Sequence, residues 1–103
     1  MAETKESKES AASVLSSPEV PLHEVTVLFF ASARERAGTG EATVSIPKGS
    51  NVRHLVGVLS NRFQKLNTVL GTSSIAVNEE YAEADTVIPP RAEVAVIPPV
   101  SGG

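Results

Sequence analysis

Hydrophobic and polar positions alternate most cleanly over Glu24–Ser32. In an extended chain Val25, Val27, Phe29 and Ala31 share one side, and Thr26, Leu28, Phe30 and Ser32 share the other. The run is β-branched and aromatic, which predicts a strand. Large apolar groups on both sides predict a central strand, or one whose second face meets a partner. Ala33–Ala37 reads as a helical turn and Gly38-Thr39-Gly40 interrupts the chain. Glu41–Ile46 then alternates again, as a second strand pairing back on the first, and ends at Pro47-Lys48-Gly49. Here the period changes. Val52, Leu55, Val56, Leu59, Phe63 and Leu66 recur at steps of three and four. This predicts one amphipathic helix over 51–66, with Ser50 or Asn51 as its N-cap. Gly57 lies inside it against helix propensity, and close passage of a strand would account for it. Ser74–Asn78 reads as a third strand with a turn at Asn78-Glu79-Glu80, and Tyr81-Ala82 as one more short pairing. Thr86–Ile88 reads as a short strand stopped by Pro89-Pro90, and Glu93–Ile97 as the last strand.

The predicted order is strand, strand, helix, strand, short strand, strand. A helix with one apolar stripe covers one face of a sheet. The expected fold is α+β: a β-grasp (ubiquitin-like) roll, with a mixed sheet of four to five strands and one main helix packed on one face. The pattern alone also permits other small α+β folds. Residues 1–21 are rich in Ser, Glu, Lys and Ala, with Val14, Leu15 and Val20 scattered among them, so they are expected to form a disordered tail. Phosphorylation of its serines is conceivable, but a solvated extension is the simpler reading. The expected divisions are a tail over 1–21, a β-grasp domain over 22–97 and a flexible C-terminal tail over 98–103.

Composition narrows the chemistry. The chain has 103 residues and a formal net charge of -3, which disfavours nucleic acid or anionic membranes as partners bound through bulk charge. Cysteine is absent, so the chain offers no disulfide, thiolate ligand or catalytic thiol. No apolar run approaches a membrane span, and the N-terminus lacks the hydrophobic stretch of a secretory signal, so a cytosolic location is expected. His23 and His54 have no companions at metal-ligand spacing, and no metal is expected. Phosphate-loop, dinucleotide and nucleophile-elbow motifs are missing. The acidic stretch Glu79–Asp85 could dock a basic partner but reads more simply as a solvated turn.

The C-terminus is the unusual feature. Pro98-Pro99 ends the last strand and stiffens its exit. Val100, Ser101, Gly102 and Gly103 follow, with no charged side chain and no Cβ on the final two residues. Such a segment can thread a narrow channel, and its one ionisable group is the terminal carboxylate, anionic at neutral pH.

Three segments resemble the small, sulfur-carrier subunit of molybdopterin synthase. They are Val27–Gly38 (VLFFASARERAG), Ala76–Tyr81 (AVNEEY) and above all Glu93–Gly103 (EVAVIPPVSGG). The likeness spans about 24–103. The family's usual Asp-Gly-Asp-Glu-like turn before the last strand is replaced by Pro90-Arg91-Ala92-Glu93, and residues 1–21 extend beyond the family domain.

The resemblance implies that Gly103 is the reactive residue. An E1-like adenylyltransferase and sulfurtransferase would consume ATP to adenylate it, then convert it to a thiocarboxylate. The tail Pro98, Pro99, Val100, Ser101, Gly102 would enter the large subunit and deliver sulfur to cyclic pyranopterin monophosphate, forming the molybdopterin dithiolene. The implied assembly is a heterotetramer of two small and two large subunits. The small subunit would bind no permanent cofactor and would not be catalytic alone. Phe30, Leu28 and Arg34 are the candidate interface residues, although core packing for Phe30 and a solvated turn for Arg34 compete. Other readings are a ubiquitin-like modifier, a carrier for another thiolation pathway, or a non-catalytic β-grasp binding module.

Overall fold

The computed structural model describes residues 21–99. The expected N-terminal tail, apart from Pro21, lies outside the described residues, as do Val100–Gly103. The elements run β1 (Leu22–Phe29), α1 (Ala31–Ala37), β2 (Glu41–Pro47), α2 (Val52–Arg62), a 3-10 turn (Gln64–Leu66), α3 (Asn67–Leu70), β3 (Ser74–Val77), β4 (Glu80–Tyr81) and β5 (Glu93–Ile97). The five strands form one sheet in the order β2-β1-β5-β3-β4. β1 is antiparallel to β2 and parallel to β5, and β3 is antiparallel to both β5 and β4. A mixed sheet with its first and last strands paired in parallel at the centre is the β-grasp arrangement.

Alternation along each strand selects the core. Val25, Val27 and Phe29 of β1, Val44 and Ile46 of β2, and Val94 and Val96 of β5 are buried on one face. Val52, Leu55 and Leu59 of α2, with Leu66 beyond it, cover that face. Burying each large aliphatic side chain is worth about 1.5–3 kcal/mol, so this layer supplies most of the drive to fold.

α2 is shorter than the 51–66 predicted from periodicity. The helix ends at Arg62, and Phe63 takes φ -124 ψ 80 while its N–H still bonds the Leu59 carbonyl. This break swings the Phe63 ring edge-on to Phe29, at 5.3 Å between centroids and 68° between planes, and the 3-10 turn then drops Leu66 into the core. The apolar steps survive because two successive turns, rather than one helix, serve the same core. Asn51 is the N-cap, its Oδ1 accepting the His54 N–H at 2.9 Å. Thr86–Ile88 does not form the strand expected of it, contributing only an isolated bridge from Val87 to Asn51.

Gly57 also departs from expectation. It is exposed, and a Cβ built there meets nothing within 4 Å, so no strand passes close to it. Gly57→Ala should therefore raise stability by about 1 kcal/mol, the helix-propensity difference, read as a higher urea midpoint. The unusual turn before β5 carries a backbone cost. Ala92 donates its N–H to the Pro89 carbonyl at 3.3 Å, and Arg91, third in the turn, is forced to φ 61. Left-handed backbone favours glycine, so Arg91→Gly should stabilise the fold by about 0.5–1 kcal/mol in the same measurement.

Candidate functional site: the tail exit and the open sheet face

The exit of the C-terminal segment is built where β1 hands over to α1. β5 runs beside β1, with Leu28 opposite Ala95 and Phe29 opposite Val96. The Phe30 N–H bonds the Val96 carbonyl at 3.2 Å, the last rung of that ladder. The next rung would need an N–H at position 98, which proline lacks. The Phe30 carbonyl is taken elsewhere, accepting from Ala33 at 2.9 Å and Arg34 at 3.4 Å in the first turn of α1. One junction thus starts a helix and releases the terminal segment. Pro98 continues the inward alternation of Val94 and Val96 and is buried, whereas Pro99 is exposed. The base of the segment is anchored by a buried ring at the centre of the sheet. Val100, Ser101, Gly102 and Gly103 lie outside the described residues.

α1 begins abruptly. Phe30 is its N-cap without a side-chain cap, and Ala31 has φ 49. Ala31 therefore leaves the strand instead of joining Val25, Val27 and Phe29 in the core, and it is exposed. Gly38 closes the helix at φ 78, donating its N–H to the Arg34 carbonyl at 3.0 Å. Arg34 is exposed, and its guanidinium lies along Gly40: a Cβ there would sit 3.1 Å from Nη1 and 3.2 Å from Cζ.

The sheet face away from the core carries the other sequence candidates. Phe30 is 46% exposed and Leu28 half-buried on that side. Register brings further residues beside them. Leu28 faces Ala95, Ala95 faces Ala76, and Ala76 faces Tyr81. Ile97 shares the outward side of β5 with Ala95, and Tyr81 is 76% exposed at the far edge. An apolar strip thus crosses the sheet from Leu28 and Phe30 to Tyr81, passing the point where the terminal segment leaves. Sequence reasoning placed Phe30 and Leu28 on this face but missed Ala95, Ile97, Ala76 and Tyr81. The available signal was alternation within β5, where Ala95 and Ile97 oppose Val94 and Val96. Tyr81 needed the pairing register. Among the described residues no group of His, Asp and Glu could hold a metal ion, and no helix is long and apolar enough to cross a membrane.

Comparison with known proteins decides the family. The ThiS family pattern matches residues 27–103, through the final glycine. The chain belongs to the ThiS family. It is 39% identical over 80 residues to the molybdopterin synthase sulfur carrier subunit of Arabidopsis thaliana, covering 78% of this chain and 83% of that one. Among solved structures, a Pyrococcus furiosus chain described as molybdopterin converting factor subunit 1 is 30% identical with a TM-score of 0.70. That match covers 76% of this chain and 99% of the other. Small archaeal modifier protein 1 from Methanosarcina acetivorans is 27% identical with a TM-score of 0.69, covering 81% and 99%. The ThiS family match begins inside β1, so residues 1–26 lie outside it.

Proposed function

We propose that this ThiS-family chain is the sulfur-carrier subunit of molybdopterin synthase, with Gly103 as its reactive residue. The observation that carries the reading is the central position of β5. Its end is anchored by Pro98 and opens beside an uncovered apolar strip, so a partner covering the strip also receives the terminal segment. The chemistry needs little else from this chain. A carboxylate is a poor electrophile. In the activating enzyme a carboxylate oxygen of Gly103 attacks the α-phosphorus of ATP and pyrophosphate departs, leaving an acyl-adenylate. A sulfur donor at the hydrosulfide level attacks the acyl carbon and AMP departs. The resulting thiocarboxylate enters the large subunit and gives its sulfur to cyclic pyranopterin monophosphate. Two such transfers complete the dithiolene, so carriers must be exchanged or recharged.

In this reading Phe30, Leu28, Ala95, Ile97 and Tyr81 dock the large subunit, and Arg34 supplies a cation at the edge of the contact. Pro99, Val100, Ser101 and Gly102 occupy the channel, where small side chains and free dihedral angles permit close walls. Partners supply the acids, bases and substrate pocket, which accounts for a carrier without catalytic side chains of its own. The assembly is a heterotetramer of two large and two small subunits in the cytosol.

A residue appended after Gly103 tests this against an incidental tail. The extended chain should fold with an unchanged urea midpoint yet form no thiocarboxylate and support no molybdopterin synthesis in a reconstituted system. Full activity of the extended chain would contradict the proposal. The likeness to small archaeal modifier protein 1 favours one second reading, a modifier joined through Gly103 to lysines of other proteins. Isopeptide-linked adducts ending in this chain's terminal peptide, found in digests of its native cells, would support that reading.

A further inference from the structure

The sheet ends in β2 on one side and β4 on the other. β4 is two residues long, whereas β2 runs for seven, Glu41–Pro47. An edge of that length is a template for another strand. Its register shows which groups face outward. Phe29 donates its N–H to the Gly40 carbonyl at 2.9 Å, and Lys48 donates to the Pro21 carbonyl at 2.8 Å. Hydrogen-bonded pairs alternate along an antiparallel ladder, so Ala42, Val44 and Ile46 also bond inward to β1. The N–H and C=O groups of Glu41, Thr43 and Ser45, with the Pro47 carbonyl, therefore point away from the sheet. Side chains and a turn occupy most of them. Thr39 Oγ1 donates to the Glu41 carbonyl at 3.0 Å and accepts the Glu41 N–H at 3.4 Å. The Pro47 carbonyl accepts the Ser50 N–H at 3.0 Å and the Ser50 hydroxyl at 2.6 Å, and proline has no N–H to offer. The Thr43 carbonyl accepts Nη1 of Arg62 at 2.9 Å. The Thr43 N–H and both groups of Ser45 have no partner among the described residues.

Arg62 is the guard that reaches this edge from a distant element. It is the last residue of α2 and is exposed. Its guanidinium carbon lies 5.2 Å from the centroid of the Phe63 ring, which is itself fixed edge-on against Phe29. The break after α2 thus seats the guanidinium as well as the ring. We propose that β2 is a latent strand-pairing site for a second copy of this chain, and that Arg62 holds it shut. The open groups select that occupant. In an antiparallel pairing about a two-fold axis at Val44, Thr43 of one copy lies opposite Ser45 of the other, and each such pair exchanges N–H and C=O both ways. The edge is therefore self-complementary, provided that the Thr43 carbonyl is available. With Arg62 seated, each copy withholds that acceptor. The facing side chains are threonine and serine, so no like charges meet across the pair. β1 separates β2 from β5, so the tail exit takes no part. The inference does not depend on the sulfur-carrier reading.

Arg62→Ala removes an exposed side chain, leaves the core untouched and releases the Thr43 carbonyl. Each hydrogen bond regained is worth roughly fivefold, so the two regained across a symmetric pair should tighten self-association roughly 30-fold. Amide spectra of the full-length chain, recorded up to about 1 mM, read dissociation constants near that value. In Arg62→Ala the Thr43 and Ser45 signals should shift with concentration and their exchange with solvent should slow. In the native chain they should change little. Adding Ser45→Pro removes an N–H that the pairing needs and the sheet does not use, so the concentration dependence should vanish while the fold is retained. Constant Thr43 and Ser45 signals in Arg62→Ala would overturn the proposal. So would equal shifts in the native chain, shifts confined to Ala95 and Tyr81 on the open face, or shifts that persist with Ser45→Pro. Loss of the fold in the proline variant would place the Ser45 N–H inside the sheet and overturn it too.

Discussion

Removal of Gly102 and Gly103 is expected to abolish loading altogether while leaving the fold unchanged. The buried core ends at Pro98, and the hydrogen-bond ladder of β5 with β1 ends at the Val96 carbonyl. Nothing in the described fold depends on the last two residues, so the urea midpoint should match that of the intact chain. The proposed chemistry, in contrast, requires a carboxylate that can reach an adenylating site through a narrow approach. Truncation leaves a carboxylate on Ser101, shorter by two residues and bearing a side chain beside the reacting carbon. ATP–pyrophosphate exchange by the activating enzyme should therefore fall to background. Exchange at the rate of the intact chain would mean that the terminus is recognised in some other way.

Two neighbouring phenylalanines should give opposite results. Phe29 is 2% exposed and meets Phe63 edge-on. Phe29→Ala should cost about 3–5 kcal/mol through lost burial and a residual cavity. At about 0.05–0.15 kcal/mol per residue, a domain of this size has only roughly 4–12 kcal/mol in total, so much of the chain should be unfolded in mild urea. Phe30 projects from the opposite face and is the N-cap of α1 without a side-chain cap. Aspartate is a good N-cap, so Phe30→Asp should leave stability unchanged or slightly higher. The same substitution places a charge in the apolar strip. If the strip docks the large subunit, the loss should exceed about 2 kcal/mol, or roughly 30-fold in Kd, by calorimetric titration. Unchanged affinity would place the docking surface elsewhere. An unfolded Phe30→Asp chain would instead assign Phe30 to the core.

The strands were legible because alternation with a period of two is a local property, readable wherever one face is buried. β2 and β5 were located on that basis to within one residue, and β1 to within three, because the chain turns into α1 after Phe30. The helix boundary was not legible. Phe63 and Leu66 satisfy helical spacing, yet they reach the core through a break after Arg62 that only packing against Phe29 explains. Gly57 was misread for a related reason: sequence shows the propensity cost but not the space around the residue. Arg91 hides its left-handed backbone because the non-local bonds from its own N–H to Glu24 and from Thr26 to Ala92 hold the turn in place. The terminal segment was the part of the proposed site most open to reading from sequence, since what marks it is the lack of side chains. The apolar strip was only half legible. It is assembled by register across four strands, and Tyr81 joins Leu28 only through Ala76 and Ala95.

The most direct test is the intact mass of the chain after incubation with ATP, the activating enzyme and a sulfur donor. The account predicts a gain equal to the replacement of one oxygen by sulfur, confined to the C-terminal peptide and absent without ATP. An unchanged mass under conditions that load a known carrier, or a sulfur atom found on any residue other than Gly103, would contradict it.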